Sequence, residues 1–125
     1  MAVVVVGTGF IGPVHVEALR RLNIEVKGIL GSSPEKSERA AKSLGLETGY
    51  KSYKDIIKDK AVNVVHITSP NRYHLQQASD AMNAGKHVVC EKPLTMTTKE
   101  TKELVKLSQR KPELIAAVNY NVRFY

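Results

Sequence analysis

A glycine-rich turn near the start of the chain has the residue types and spacing that bind phosphate groups. Residues 7–12 read GTGFIG and match the pattern G-x-G-x-x-G between an apolar run and a helical pattern. In such turns the first glycine permits a tight bend, the second lets the backbone approach a pyrophosphate, and the third lets a helix pack closely on a strand. The N–H groups at the start of that helix bind the phosphates. The motif predicts dinucleotide binding, and a purely structural turn is the alternative.

A second segment with chemical potential is the Glu-Lys-Pro sequence at residues 91–93, which follows an apolar run. Pro93 restricts Lys92 to extended backbone conformations and ends the strand. A lysine that loses its hydration to a bound nicotinamide and substrate can transfer a proton at the reacting centre. Lys92 is therefore the candidate catalytic residue. The alternative is that Glu91 and Lys92 form a solvated pair in a loop.

The stretch after the second apolar run bears on which dinucleotide would bind. Residues 30–36 read LGSSPEK, with no carboxylate at the point where NAD-binding turns usually place one for the ribose 2′-hydroxyl. Ser32, Ser33 and Lys36 can donate hydrogen bonds to a 2′-phosphate. We therefore predict NADP as the preferred cofactor, with NAD as the alternative. The competing interpretation is that Ser33 caps a helix and Lys36 is solvated.

The elements that must position these residues alternate between two hydrophobic periods. Short apolar, β-branched runs predict strands, and apolar residues at helical spacing predict the helices between them. The predicted strands are residues 2–6, 26–30, 62–67, 87–90 and 114–118, and the predicted helical segments are 11–22, 34–44, 53–58, 71–84 and 97–110. This alternation predicts an α/β fold: a Rossmann-type, doubly wound parallel sheet in three layers. The motifs above would then share the carboxyl edge of the sheet.

Composition excludes several other classes of protein. The chain has 125 residues, enough for one compact domain, and contains no apolar run long enough to cross a membrane. A single cysteine, Cys90, excludes a disulfide framework and is expected to be a core thiol in a reducing, cytoplasmic protein. The net charge of +7 suggests nucleic acid as a partner, but the basic residues alternate with acids. We expect no nucleic acid, no membrane and no metal as partners.

Three motifs together resemble the N-terminal domain of the Gfo/Idh/MocA oxidoreductases, the family of glucose–fructose oxidoreductase and inositol dehydrogenase. The first is the glycine turn followed by His15, and the second is Thr68-x-Pro70-Asn71-x-x-His74. The third is the sequence AGKHV at residues 84–88 leading into Glu-Lys-Pro. The resemblance covers essentially the whole chain, and Glu-Lys-Pro is its most discriminating part.

The resemblance implies hydride transfer between a nicotinamide cofactor and a sugar or polyol hydroxyl or carbonyl group. It also implies a set of cofactor-binding residues along the carboxyl edge of the sheet: Gly7, Gly9, Phe10, Ile11 and Gly12 at the pyrophosphate, Gly31, Ser32, Ser33 and Lys36 at the adenosine ribose, Thr68, Ser69, Pro70, Asn71 and His74 beside the cofactor, and Glu91, Lys92 and Asn119 near the nicotinamide. Lys92 would reach the substrate hydroxyl. Packing roles remain the alternatives for His15 and His74.

Family members normally continue into a substrate-binding domain. We therefore expect residues 1–118 to be the dinucleotide-binding domain and residues 119–125 to begin the connection to a C-terminal substrate domain absent from this chain. Tyr120, Phe124 and Tyr125 give that end an unusually aromatic character. Alone, the domain should bind cofactor with negligible turnover, and we expect it to form a homo-oligomer only together with the substrate domain. The alternative is a non-catalytic NAD(P)-binding sensor or interaction module.

Overall fold

A computed structural model describes residues 1–124 and shows a six-stranded, fully parallel sheet in the order β3-β2-β1-β4-β5-β6. The strands are β1 (Ala2–Val6), β2 (Glu25–Leu30), β3 (Thr48–Gly49), β4 (Val62–Ile67), β5 (His87–Glu91) and β6 (Ala116–Asn119). The helices are α1 (Ile11–Arg21), α2 (Pro34–Leu44), α3 (Tyr53–Lys58), α4 (His74–Asn83) and α5 (Thr98–Arg110). The predicted fold class is confirmed. Within residues 1–124, none of the helices combines the length and the apolar character that crossing a membrane requires.

The central strand β1 determines where a ligand can bind. All five of its residues are buried, as expected for a strand covered on both faces. It pairs with β2 on one side, where Val6 lies opposite Leu30, and with β4 on the other, where Val6 lies opposite Ile67. The strand order reverses between β1 and β4, and this topological switch opens a crevice at the carboxyl ends of the strands.

The two faces of the sheet bury separate apolar clusters, which produces the three predicted layers. On one face Val3 and Val5 pack with Val16 and Leu19 of α1 and with Ala41 of α2. On the other face the alternate residues of β1 pack with residues from the helices α3, α4 and α5: Val4, Val6, Ile56, Ala78, Met82 and Leu104. Adjacent valines of β1 therefore serve opposite cores, because successive side chains of a strand point to opposite faces.

Three details differ from the sequence-based expectations. The two-residue strand β3 was not predicted, because Thr48–Gly49 is too short to show a period. The helical segment expected from residue 71 begins as a 3₁₀ turn, Asn71–Tyr73, before α4. The strand expected from residue 114 begins at Ala116. A second 3₁₀ turn, Asn121–Phe124, follows β6, and the predicted aromatic end residue Tyr125 lies outside the described residues.

Candidate functional site

The glycine turn is joined to the strands on both sides of β1. The N–H of Gly7 donates to the Leu30 carbonyl of β2 at 2.8 Å. The Thr68 N–H donates to the Val6 carbonyl at 2.8 Å, and the Thr68 hydroxyl donates to the same oxygen at 3.0 Å. Gly7 has φ +125°, and a Cβ there would lie 2.5 Å from Thr68 Oγ1. These hydrogen bonds therefore fix the backbone around residues 7 and 68 as one rigid unit at the topological switch point.

The other two glycines of the turn have opposite surroundings. A Cβ on Gly12 would lie 2.0 Å from the Gly7 carbonyl oxygen, so Gly12 is required for helix α1 to approach the turn. A Cβ on Gly9 would meet nothing within 4 Å. The space in front of Gly9 belongs to the crevice, where a methyl group would occupy room that a pyrophosphate needs.

The start of helix α1 offers backbone donors to this space. Ser33, Ser52 and Thr97 cap helices α2, α3 and α5 with their hydroxyl oxygens, whereas the N-cap of α1, Phe10, forms no side-chain cap. The uncapped first N–H groups of a helix attract anions, since the helix dipole places partial positive charge there. In those three helices the cap binds the N–H of the third helical residue, but in α1 that residue is Pro13, which has no N–H. The donors that the start of α1 offers are therefore the N–H groups of Ile11 and Gly12.

A cleft of about 1020 Å³ extends from the turn along the carboxyl edge of the sheet. Eight of the predicted cofactor residues line it: Gly7, Gly9, Gly31, Ser32, Lys36, Thr68, Ser69 and Pro70. Three cationic side chains, Lys36, Arg39 and Arg72, also line the cleft, and its described lining contains no carboxylate. Volume and charge both fit an extended anionic ligand such as a dinucleotide.

The segment after β2 is organised by its serines. The Ser33 hydroxyl oxygen accepts from the Lys36 N–H at 3.3 Å and so caps α2. The Lys36 ammonium donates to Ser32 Oγ at 3.0 Å. The Gly31 N–H donates to Ser37 Oγ at 2.8 Å, and Ser37 is fully buried. Ser32 and Lys36 therefore face the cleft as a pair, while Ser33 and Ser37 hold the loop.

Glu35 lies next to this loop on the first turn of α2. A hydrogen bond from the Ser33 hydroxyl, followed by its own backbone N–H and by Arg39, keeps the pKa of Glu35 below its ordinary value. Glu35 is exposed and does not line the cleft.

His74 connects the two loops on the far side of the cleft. The side chain is fully buried, and its Nε2 lies 2.8 Å from the Ser69 carbonyl oxygen while its Nδ1 lies 2.9 Å from the Pro93 carbonyl oxygen. Ser69 itself contacts Gln77 of α4. His74 thus braces the loop after β4 against the Glu-Lys-Pro segment, and its ring is not part of the cleft wall.

A buried polar network surrounds Glu91 at the end of β5. Its Oε1 lies 3.0 Å from His15 Nε2 and accepts from the Asn119 amide, while its Oε2 accepts from the Lys92 N–H at 3.2 Å. Burial would raise the pKa of Glu91, but the hydrogen bonds from Asn119, His15 and the Lys92 N–H outweigh burial and hold the pKa below its ordinary value. Glu91 is therefore an ionised acceptor.

His66 of β4 lies against His15, and the sequence predicted no chemical role for it. The two Nδ1 atoms are 2.9 Å apart, and the rings meet edge to face at 83°. Burial, with a smaller contribution from the neighbouring His15, lowers the pKa of His66 to about 4. His66 is therefore neutral at pH 7.

Lys92 follows this network directly. Its side chain is exposed, and Glu91 binds its backbone N–H. The peptide bond between Lys92 and Pro93 is cis. Glu91 therefore holds the backbone of Lys92, while the exposed Lys92 side chain can reach a ligand.

Several predicted residues lie outside the cleft lining, and several unpredicted ones lie within it. Outside are the residues of the α1 start, the α2 cap, the His74 brace and the Glu91 network: Phe10, Ile11, Gly12, Ser33, Asn71, His74, Glu91, Lys92 and Asn119. Unpredicted lining residues include Arg39, Gln77 and the stacked pair Arg72 and Tyr73, whose guanidinium carbon lies 4.8 Å from the ring centroid. Of these unpredicted residues, Arg39 could have been found from the sequence, because it stands three positions after Lys36, a spacing that places both side chains on one face of α2.

Two further residues of the motifs serve the structure. Lys86 is buried at the amino edge of the sheet, away from the cleft, and its ammonium donates to the Asp59 and Val62 carbonyls. Cys90 is buried and unpaired, and burial raises the pKa of its thiol to about 12. Within residues 1–124, no group of three or more His, Cys, Asp or Glu side chains is arranged to hold a metal ion.

Residues 1–120 match the family model GFO_IDH_MocA, described as an oxidoreductase family with an NAD-binding Rossmann fold. The chain is 32% identical, over 94% of its length, to a levoglucosan dehydrogenase from Pseudarthrobacter phenanthrenivorans. It is 31% identical, over 96% of its length, to an inositol 2-dehydrogenase from Salmonella typhimurium. Among solved structures, levoglucosan dehydrogenase in complex with NADH and levoglucosan matches 98% of the chain with a TM-score of 0.92 and 32% identity.

These relatives are much longer than this chain. It spans 32% of the levoglucosan dehydrogenase sequence, 37% of the inositol 2-dehydrogenase sequence and 35% of the solved chain.

Proposed function

The chain belongs to the Gfo/Idh/MocA oxidoreductases with an NAD-binding Rossmann fold, and from that premise we propose that it is the cofactor-binding domain of a sugar or polyol dehydrogenase. In the proposed reaction a hydride passes between the nicotinamide and a hydroxyl or carbonyl carbon of the substrate. The named relatives support this substrate class, because they are levoglucosan and inositol dehydrogenases.

The observation that carries the proposal is the cleft at the switch point. It combines an open backbone in front of Gly9, an uncapped helix start at Phe10, and three cations with no carboxylate in the described lining. Each of these features favours a pyrophosphate, and together they recur where dinucleotides bind.

Different residues along the carboxyl edge of the sheet would bind different parts of the cofactor. The N–H groups after Gly9 would bind the pyrophosphate, and Ser32 and Lys36 would face the adenosine ribose. Glu91 would accept a hydrogen bond from the nicotinamide ribose. A bound nicotinamide supplies the hydride-accepting carbon, and the protein supplies placement and proton transfer.

Lys92 is proposed to move the proton of the substrate hydroxyl. The braces at His74 and Glu91 hold its backbone while its ammonium stays exposed at the same edge of the sheet. A general acid or base must lie within hydrogen-bonding reach of the proton it transfers, so a fixed backbone with a mobile side chain suits this role. Residues 1–125 alone would bind cofactor with negligible turnover.

Isothermal titration of the chain with NADH tests the proposed binding. Gly9→Ala should weaken binding more than tenfold because its methyl group would enter the pyrophosphate space. Ala84→Ser, which adds one atom at an exposed position remote from the cleft, is the control. Equal affinities of Gly9→Ala and the parent chain would contradict the proposal.

We further propose that NADP is preferred over NAD. The pair of Lys36 and Ser32, together with Arg39, places two cations and a hydroxyl at the adenosine end of the cleft. A 2′-phosphate there would form charge-assisted hydrogen bonds, and no lining carboxylate repels it. Lys36→Ala should weaken NADPH binding about tenfold and change NADH binding less than twofold. NADH binding equal to or tighter than NADPH binding in the parent chain would reject the preference.

A non-catalytic NAD(P)-binding module is the second candidate. The exposed apolar side chains Ile115, Tyr120 and Val122 favour it, since they offer a surface for a partner. Lys92→Ala in a longer protein that contains residues 1–125 separates the two functions. Loss of turnover with cofactor binding retained supports the dehydrogenase, and unchanged behaviour supports the module.

A further inference from the structure

The contacts of His15 extend beyond packing. We propose that His15 is a positioning residue of the site: with His66 it forms a hydrogen-bond relay of fixed direction that holds the Glu91 carboxylate against the Lys92 backbone. The catalytic meaning of this relay rests on the proposed function, whereas its direction rests on the contacts of His15 and on the protonation states of the three side chains.

The direction of the relay is set at its Glu91 end. An ionised carboxylate only accepts hydrogen bonds, and the low pKa of Glu91 keeps it ionised. His15 Nε2 lies 3.0 Å from Glu91 Oε1 at a site where both residues are buried. A lone pair on Nε2 would face a negative oxygen there, so the Nε2 atom of His15 must carry the proton and donate it.

The other end follows from the proton count of imidazole. In the proposed relay His15 is neutral, with a single N–H, so a donating Nε2 leaves its Nδ1 as an acceptor. The atom opposite, His66 Nδ1, lies 2.9 Å away and must therefore donate. His66 is neutral at pH 7, which assigns it the Nδ1–H tautomer. The relay runs from His66 through His15 to Glu91.

The relay leaves Glu91 able to accept one further hydrogen bond. Oε1 accepts from His15 and Asn119, and Oε2 accepts from the Lys92 N–H. A carboxylate has about four acceptor positions, so one remains, on Oε2, and it can receive a ligand hydroxyl. Because His15 and Asn119 fix Oε1, the carboxylate cannot rotate without releasing Lys92. His15 thereby links helix α1 to the segment that carries the candidate catalytic lysine, Lys92.

Nitrogen-15 NMR of the histidine rings in the whole chain at pH 7 tests the direction without any variant. We expect a protonated Nε2 and an unprotonated Nδ1 on His15, and the reverse pattern on His66. A protonated Nδ1 on His15, or a protonated Nε2 with a bare Nδ1 on His66, would overturn the relay.

NADH titration of variants tests the positioning role. His15→Ala should release His66 from its single tautomer and weaken NADH binding about tenfold. His15→Gln should restore the affinity to within threefold, because its amide N–H can still reach Glu91. His87→Ala is the control: His87 Nδ1 accepts from the N–H of Ile115, which precedes β6, and the substitution should change the affinity less than twofold.

The outcomes separate the inference from the proposed function. Parent-like NADH binding by His15→Ala would overturn the positioning role while leaving dinucleotide binding intact. No NADH binding by the parent chain would reject the proposed function and the positioning role together, and the ring tautomers would then stand as structure alone.

Discussion

The carboxyl edge of the sheet has two parts that are built differently. The turn half, residues 7–12 and 31–37, lies at the ends of β1 and β2 and presents backbone N–H groups, an open glycine and exposed side chains. The network half lies at the ends of β4, β5 and β6, outside the cleft lining, and consists of buried or partly buried side chains that hydrogen-bond to one another or to the backbone: His15, His66, His74, Glu91 and Asn119.

The difference shows how one edge of a sheet can serve two purposes. A pyrophosphate is bound by backbone donors and by empty space, so the turn half must leave both unoccupied. A lysine with the proposed proton-transfer role needs fixed placement, and the network half, whose polar groups bind one another, provides that rigidity. Substitutions at the open positions of the turn half should therefore leave stability nearly unchanged, whereas substitutions of buried, hydrogen-bonded side chains in the network half should lower it.

The largest stability effect is expected at His74. In His74→Leu the carbonyls of Ser69 and Pro93 lose their ring partner in a buried place, which should lower the free energy of unfolding by about 3 kcal/mol. Urea denaturation measures the change. His87→Leu, which frees only the N–H of the exposed residue Ile115, should lose no more than about 1 kcal/mol. Equal losses of unfolding free energy in His74→Leu and His87→Leu would contradict the larger contribution to stability assigned to His74.

Two alanine substitutions within the turn half should behave oppositely. Gly12→Ala forces a methyl group against the Gly7 carbonyl and should lower the free energy of unfolding by about 2 kcal/mol. In Gly9→Ala the methyl group meets no described atom within 4 Å, so stability should change by less than about 0.5 kcal/mol, although NADH binding should weaken. Thermal denaturation of both proteins provides the comparison, and a Gly9→Ala protein as unstable as Gly12→Ala would contradict the open space assigned to Gly9.

The network half should also make stability depend on pH. His66 titrates near 6.5 when unfolded and near 4 when folded, because burial and the facing His15 disfavour its charge. Between these values the unfolded state binds more protons, so stability rises with pH and is lost as pH falls from about 6.5 to about 4. We expect about 1.5 kcal/mol across this window, after allowance for partial exposure of the ring.

His66→Gln removes the titrating ring, and its unfolding free energy should therefore vary less between pH 4 and 6.5. Urea titrations at several pH values measure the difference between the two slopes. His87→Gln should keep the slope of the parent chain. An undiminished slope in His66→Gln would assign the dependence to another group.

The smallest effect is expected at the α2 cap in the turn half. Ser33→Ala removes the acceptor for the Lys36 N–H and should cost about 1 kcal/mol of stability. NADPH affinity should change less than twofold, because the donors proposed for the 2′-phosphate are Ser32 and Lys36. A tenfold loss of NADPH affinity with stability unchanged would instead make Ser33 a phosphate ligand.

Much of the fold was predictable because buried parallel strands have a distinctive sequence pattern. The apolar run Ala2–Val6 and the helix boundaries at Ser33, Gly45 and Thr97 follow from local chemistry. Strand β3 was missed because its pairing depends on a close approach to another element. A Cβ on Gly49 would lie 2.7 Å from the backbone of Glu38, a contact that no local pattern reveals.

The candidate site was predictable in the same uneven way. The glycine turn and the Glu-Lys-Pro segment are contiguous motifs, and the comparisons confirm the family that they indicated. The pairing of His15 with His66 joins positions from α1 and β4, so spacing along the chain carries no information about it. The lining role of Arg72 and Tyr73 depends on the 3₁₀ turn that precedes α4, which helical periodicity does not distinguish from a helix.

The central position of β1 has a consequence for how the protein is made. Its neighbour β2 follows soon along the chain, but its other neighbour, β4, is complete only at Ile67, and the hydrogen bonds that close the glycine turn come from Thr68. During synthesis the valine-rich strand therefore keeps one open, uncharged edge until those residues leave the ribosome, and such an edge favours aggregation. The glycine turn is thus translated early but completed only after Thr68, and the interval before Thr68 emerges is when a chaperone has the most to protect.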